Sequence, residues 1–214
     1  LIEDCAQAHL TKYKQAYVGT FGHAATFSFY PTKNLGAYGD AGCIITNDDV
    51  MAEKMRRFAN HGALEKDDHL MEGMNSRMDS LQAAVLLAKL PYLEQWNDAR
   101  IEHAKLYNSQ LSSLREIILP MVLSDTVHTF HLYVIRSKHR NELKEYLNNR
   151  GIQTLIHYPV ALPFLPAYSF MKHCANDFPV ASRLQDEVLS LPLYPELTPD
   201  QIIYVCNAIH DFYR

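Results

Sequence analysis

No Cys-x-x-Cys pair occurs in this 214-residue chain, and its four cysteines (Cys5, Cys43, Cys174, Cys206) are widely scattered. That spacing suits neither a disulfide framework nor a zinc site, so free thiols in a reducing compartment and no metal centre are expected. A basic excess is also missing: 20 Lys and Arg stand against 24 Asp and Glu, a net charge of -4. Such a balance leaves no electrostatic footprint for nucleic acid and no polybasic patch for a membrane. No apolar run approaches the roughly 20 residues needed to cross a bilayer. With no signal peptide to read, a cytoplasmic location is expected. Internal repeats and low-complexity stretches are absent too. No Met leads the chain; it opens Leu1-Ile2-Glu3-Asp4, which reads as the end of a strand and as a fragment lacking its N-terminal part.

What is present is ordinary for a globular protein, with 48% hydrophobic and 21% charged residues and enough length for a real core. Five of the eight glycines (Gly19, Gly22, Gly36, Gly39, Gly42) fall between residues 19 and 42, marking tight turns. Between them, Ala25 to Tyr30 is β-branched and aromatic and reads as a buried strand, and 42–46 reads as another. From Asp48 to about His61 the pattern becomes helical, with Asp48 or Asn47 as cap and Met51, Met55 and Phe58 on one face. A second helix carries Met78, Leu81, Val85 and Leu86 and is interrupted at Pro91; a long one follows over 92–114. After Pro120 the spacing predicts strands at 131–136 and 152–156. It also predicts helices at 141–149, closed by Gly151, at 178–189, and at 198–213, capped by Thr198. The boundary is placed near residue 108, giving domains 1–108 and 109–214.

The chemistry gathers near the N-terminus. Lys33 follows the apolar strand in a loop opened by Pro31 and closed by Gly36, between aromatic and glycine-rich flanks. A partly desolvated lysine sheds its proton more easily, and a neutral amine attacks an aldehyde. Ser28, five residues upstream, offers a hydroxyl for a phosphate, although a strand serine also bonds its own backbone. Asp4 ends the opening strand, where a carboxylate can hold a protonated pyridine nitrogen; Gln7 and His9 follow on the same loop. Either residue could reach a cofactor's ring oxygen or a substrate. The aromatics Tyr92 and Trp96 on the long helix, and the run 163–168, read more simply as packing.

Glu3-Asp4-Cys5-Ala6-Gln7-Ala8-His9, Gly19-Thr20-Phe21-Gly22 and the run from Ser28 to Asp40 together resemble the DegT/DnrJ/StrS family of nucleotide-sugar aminotransferases. Asn60-His61-Gly62, the run 73–84, His157-Tyr158-Pro159 and the run 189–195 fit the same family. The resemblance implies an α/β fold of the pyridoxal-phosphate-dependent fold type I. It would comprise part of the large mixed-sheet domain and a small α+β C-terminal domain. It also implies pyridoxal 5'-phosphate as cofactor, Lys33 as its Schiff-base lysine, Asp4 at the ring nitrogen, Gln7 on the ring-oxygen side and Ser28 at the phosphate. Asn75 or Arg77 would reach the phosphate of a neighbouring subunit, so a homodimer with shared sites is implied. His9, Tyr30, His157 and Tyr158 would lie near the substrate.

The implied reaction moves an amino group from L-glutamate to a keto group of a nucleotide-linked deoxysugar. Family members are longer, and the part with no counterpart here supplies a glycine/threonine phosphate turn and a ring-stacking aromatic. Position 41 is Ala where glycine is usual. Two rivals remain. One is a sugar dehydratase of the same family, in which histidine typically replaces the lysine; Lys33 argues against it. The other is a non-catalytic truncated homologue that acts only by packing.

Overall fold

The computed structural model describes all 214 residues. In chain order the elements are β1 (Ile2–Asp4), β2 (Lys12–Tyr13), β3 (Ala16–Tyr17), β4 (Ala24–Ser28), β5 (Gly42–Ile45), α1 (Asp49–Ala59), α2 (Ser80–Lys89) and α3 (Leu93–Leu111). They continue with β6 (Ile117–Ile118), β7 (Thr126–Val127), β8 (Tyr133–Ser137), α4 (Arg140–Asn148), α5 (Pro179–Glu187), β9 (Val188–Leu191) and α6 (Pro199–Phe212). The chain divides into two compact units, Leu1–Asp98 with Leu123–His131, and Ala99–Val122 with Leu132–Arg214. The sequence places its boundary about ten residues further along α3. No helix is long and apolar enough to cross a membrane.

In the first unit β1 pairs parallel with β4, Asp4 opposite Thr26, and β5 lies antiparallel on the other side of β4. The small hairpin of β2 and β3 is extended by β7. Asp48 caps α1 by accepting the Met51 N–H at 2.9 Å, as its residue type favours. The apolar face expected on α1 forms, yet none of its residues is fully buried. Met55 and Phe58 instead line an open cavity of about 1250 Å³ over β4 and β5. The second helix starts later than its periodicity suggests, at Ser80, because residues around Asn75 run extended and bridge to Asn60.

The second unit packs β6, β8 and β9 as an antiparallel sheet beside its helices. Tyr107 stacks on Tyr133 at 4.8 Å, and Ile135, Leu143, Leu189 and Ile202 are fully buried. Thr198 and Gln201 form a reciprocal capping box at the start of α6, with Pro199 in the first turn. Two expectations are corrected. Residues 152–156 do not form a strand; Leu155 alone bridges to Ser190. The helix expected to reach 189 stops at Glu187, because Val188 to Leu191 gain more by pairing with β8 and burying Leu189 and Leu191.

Candidate active site

Because β1 and β4 run parallel, their C-terminal ends lie on one side of the sheet, where α/β folds gather their ligands. Asp4 ends β1 and is exposed, with its Oδ1 accepting the Ala6 N–H at 3.0 Å. Beyond β4 the chain turns tightly: the Lys33 N–H donates to the Tyr30 carbonyl and the Ala37 N–H to the Phe29 carbonyl, both at 2.8 Å. Gly36 allows that turn to close, since a Cβ there would stand 2.4 Å from the Pro31 oxygen. Leu35 and Ala37 anchor the loop in a small core with Leu86 and Leu93. Lys89 Nζ donates to the Gly36 carbonyl at 2.7 Å. The lysine loop is thus pinned at both ends while Lys33 itself stays half-buried.

Burial pushes the Lys33 amine below its ordinary value, and the Asp4 carboxylate opposes that shift. His9 lies beneath them, 4% exposed, with ring centroids 5.6 Å from Phe27 and 5.7 Å from Phe29. Desolvation, then the charge of Lys33, lowers His9 to about 4, with the Ser28 backbone opposing. Its two ring nitrogens have no hydrogen-bond partner within bonding geometry. Gln7 is exposed on the same loop.

Ser28 Oγ accepts the Tyr30 N–H at 3.3 Å, the local backbone bond that a serine at a strand end favours. Arg77 donates to Asn75 Oδ1 at 3.2 Å and to Asn60 Oδ1 at 3.0 Å, tying the extended segment to the end of α1. Ser28, Tyr30 and Arg77 all line the open cavity; Lys33, Asp4, Gln7 and His9 do not. In the second unit His157 Nδ1 meets Ser190 Oγ at 2.8 Å, and Tyr158 is exposed. The sequence reading passed over Asn34 and Asn97. One signal was available: Asn97 interrupts the α3 stripe Leu93, Arg100, Ala104, Tyr107 and Leu111 with a polar residue at a buried helical position.

A half-buried lysine and an acidic strand end over a parallel strand pair belong to an α/β chain of the pyridoxal-phosphate-dependent transferase class, fold type I. The chain is a member of the DegT/DnrJ/EryC1/StrS aminotransferase family, whose model matches residues 1–210. It is 44% identical over 216 residues to a "pleiotropic regulatory protein" of Geobacillus stearothermophilus, covering all of this chain and 58% of that protein. It is 41% identical over 212 residues to the dTDP-3-amino-3,4,6-trideoxy-alpha-D-glucose transaminase of Streptomyces venezuelae, covering 99% of this chain and 56% of that one. The crystal structure of S. venezuelae DesV in complex with a ketimine intermediate superposes with a TM-score of 0.94 at 40% identity. That superposition covers 99% of this chain and 57% of DesV. The chain thus spans less than three fifths of the length of these relatives.

Proposed function

We propose that this chain carries the catalytic lysine of a pyridoxal-phosphate-dependent aminotransferase that moves an amino group from L-glutamate to a keto group of a nucleotide-linked sugar. The observation that carries this reading is the pairing of Lys33 and Asp4. A half-buried amine in the turn after β4 and a carboxylate at the end of the adjacent parallel strand β1 stand close enough for the carboxylate to raise the amine against its burial. Support for the sugar comes from the S. venezuelae relative, whose name is that of a dTDP-sugar transaminase.

The donor set suits the cofactor. Lys33 would hold it through Nζ, Asp4 would face its ring nitrogen, Gln7 its ring oxygen, and Ser28 with Asn75 or Arg77 its phosphate. When bound, pyridoxal phosphate supplies an aldehyde carbon and an electron sink. Burial favours the neutral form of Lys33, so its Nζ, once freed from the cofactor, would move a proton between the substrate carbon and the cofactor's aldehyde carbon. Asp4 would hold the proton on the ring nitrogen by presenting a negative charge to it. His157 and Tyr158 are assigned to the sugar, with Tyr30 on the substrate side of the lysine loop; His9, expected near the substrate, is buried against Phe27 and Phe29 and would act only from behind the loop. A cytoplasmic homodimer, with phosphate ligands exchanged between subunits, completes the reading. The relative's name "pleiotropic regulatory protein" favours a second reading, in which the chain acts by binding rather than by catalysis.

The test is spectroscopic. Pyridoxal phosphate added to the intact protein should give an absorbance band at roughly 420 nm, reporting covalent capture. Lys33→Ala should abolish it. Asp4→Ala should keep the band but slow amino transfer by several orders of magnitude. A band of equal strength in Lys33→Ala removes the lysine from its role, and no band in either protein favours the binding-only reading.

A further inference from the structure

Behind the lysine loop lies a set of buried amides that the proposed chemistry leaves unused. Asn34 is 5% and Asn97 3% exposed. Asn34 Nδ2 donates to Asn97 Oδ1 at 2.8 Å and to the Thr129 carbonyl at 3.2 Å. Its Oδ1 meets His131 Nδ1 at 3.0 Å. Asn97 Nδ2 in turn donates to the His9 carbonyl at 3.0 Å. Both donors and the acceptor of the Asn34 side chain are therefore engaged.

The placement of these bonds matters more than their number. Asn34 directly follows Lys33, so its side chain fixes the backbone from which Nζ hangs. His9 closes the loop that begins at Asp4. Asn97 sits between them on α3, a helix whose backbone does not yield easily. An apolar pair of similar volume would fill the space but could not fix two loops, because dispersion has no preferred direction and hydrogen bonds do.

We propose that the Asn34–Asn97 pair is a positioning device that holds the lysine loop and the loop after Asp4 in one register, so that amine and carboxylate keep their mutual placement. Neither asparagine touches the reacting atoms; both act through Lys33 and the Asp4 loop. Registry of this kind is costly to lose, since misplacing a reacting group by about 1 Å can cost about a hundredfold in rate. The inference rests on the catalytic reading of Lys33, but its test requires no cofactor.

Two variants separate the bonds. Asn97→Leu keeps most of the volume and removes both links. Asn34→Leu removes the bonds on the lysine-loop side, leaves the Asn97 bond to the His9 carbonyl, and adds no charge. Asn108→Ala, which deletes the 2.6 Å bond from Tyr133 Oη in the second unit, controls for general destabilisation. In the intact protein without added cofactor, Lys33 is acetylated with acetic anhydride across a pH series, with exposed Lys105 as internal reference. The Asp4 carboxylate raises the Lys33 amine against its burial, and the Lys33 charge in turn bears on His9. Burial is the larger influence on the amine, so loosening the loop should raise the Lys33 midpoint by about half a pH unit, about threefold in free amine. Both Asn97→Leu and Asn34→Leu should show the rise, and Asn108→Ala should not. An unmoved midpoint in folded Asn34→Leu or Asn97→Leu overturns the proposal, as does an equal rise in Asn108→Ala. If neither variant folds, hydrogen exchange on the unaltered protein decides: segments 5–11 and 30–36 should open together with one free energy. Independent opening of the two segments overturns the proposal as well.

Discussion

Glu3 Oε1 accepts the Gly22 backbone N–H at 2.6 Å, linking the middle of β1 to the turn that leads into β4. The same carboxylate takes the Phe21 N–H at 2.8 Å and, through Oε2, the Gly19 N–H at 2.7 Å. Three donors converging on one carboxylate stabilise its charged form, as a backbone nest does. The Gly19 bond is the largest influence holding Glu3 below its ordinary value of 4.5, followed by the Gly22 bond, with burial opposing. Asp4 follows Glu3 and Lys33 follows β4, so this clamp bears on both ends of the proposed site.

Glu3→Gln should therefore lower stability in a pH-dependent way. The folded-state value is depressed, so the contribution is present in full above 4.5 and fades as pH falls through the folded value. Thermal melts of both proteins between pH 7 and pH 3 should show a difference in Tm that is largest near neutrality and closes on acidification. A difference independent of pH would show that the charge of Glu3 is not what the turn binds.

The parts of the molecule legible in the sequence were those with local causes. Asp48 and Thr198 cap helices through bonds to residues three positions on, and β4 declares itself by Thr26, Phe27 and its flanking glycines. Lys33 and Asp4 could be singled out because their flanks predict a strand followed by a turn. What escaped depended on pairing at a distance. Two-residue strands such as β6 and β7 exist only because β8 and β2 lie beside them. Likewise, Val188 and Leu189 look helical until β8 supplies a sheet edge. In the site, the partners of Asn34 are 63, 95 and 97 positions away in the chain, which no local pattern reports.

His9 offers a second pH dependence. Its folded value near 4 lies below the ordinary 6.5, so an unfolded chain binds a proton in this range that the folded one refuses. The sign follows: stability is unaffected above 6.5, falls as pH drops from 6.5 toward 4, and levels off below, with a total loss on the order of 3 kcal/mol. His9→Phe keeps an aromatic between Phe27 and Phe29 and removes two unpartnered nitrogens. Urea unfolding at pH 7.5 and pH 4.5 should show the variant gaining on the native protein at the lower pH. Parallel loss in the two proteins would mean that His9 is protonated in the folded state.

Gly36 and Gly39 stand three residues apart on the same loop, and their tolerance should differ sharply. At Gly36 a Cβ would meet only backbone, the Pro31 oxygen at 2.4 Å, the Pro31 carbonyl carbon at 2.8 Å and the Tyr30 oxygen at 3.0 Å. Those atoms belong to the turn that carries Lys33, so Gly36→Ala must reopen it. At Gly39 the nearest atom is Gln82 Nε2 at 3.0 Å, the far end of a flexible side chain. Overpacking that cannot relax costs about 1–3 kcal/mol, or roughly five- to 150-fold in an equilibrium that depends on the loop. Titration with pyridoxal phosphate, followed at roughly 420 nm, should weaken by that factor in Gly36→Ala and by less than about threefold in Gly39→Ala. Equal behaviour of the two would mean that the closed turn around Lys33 is not what captures the cofactor.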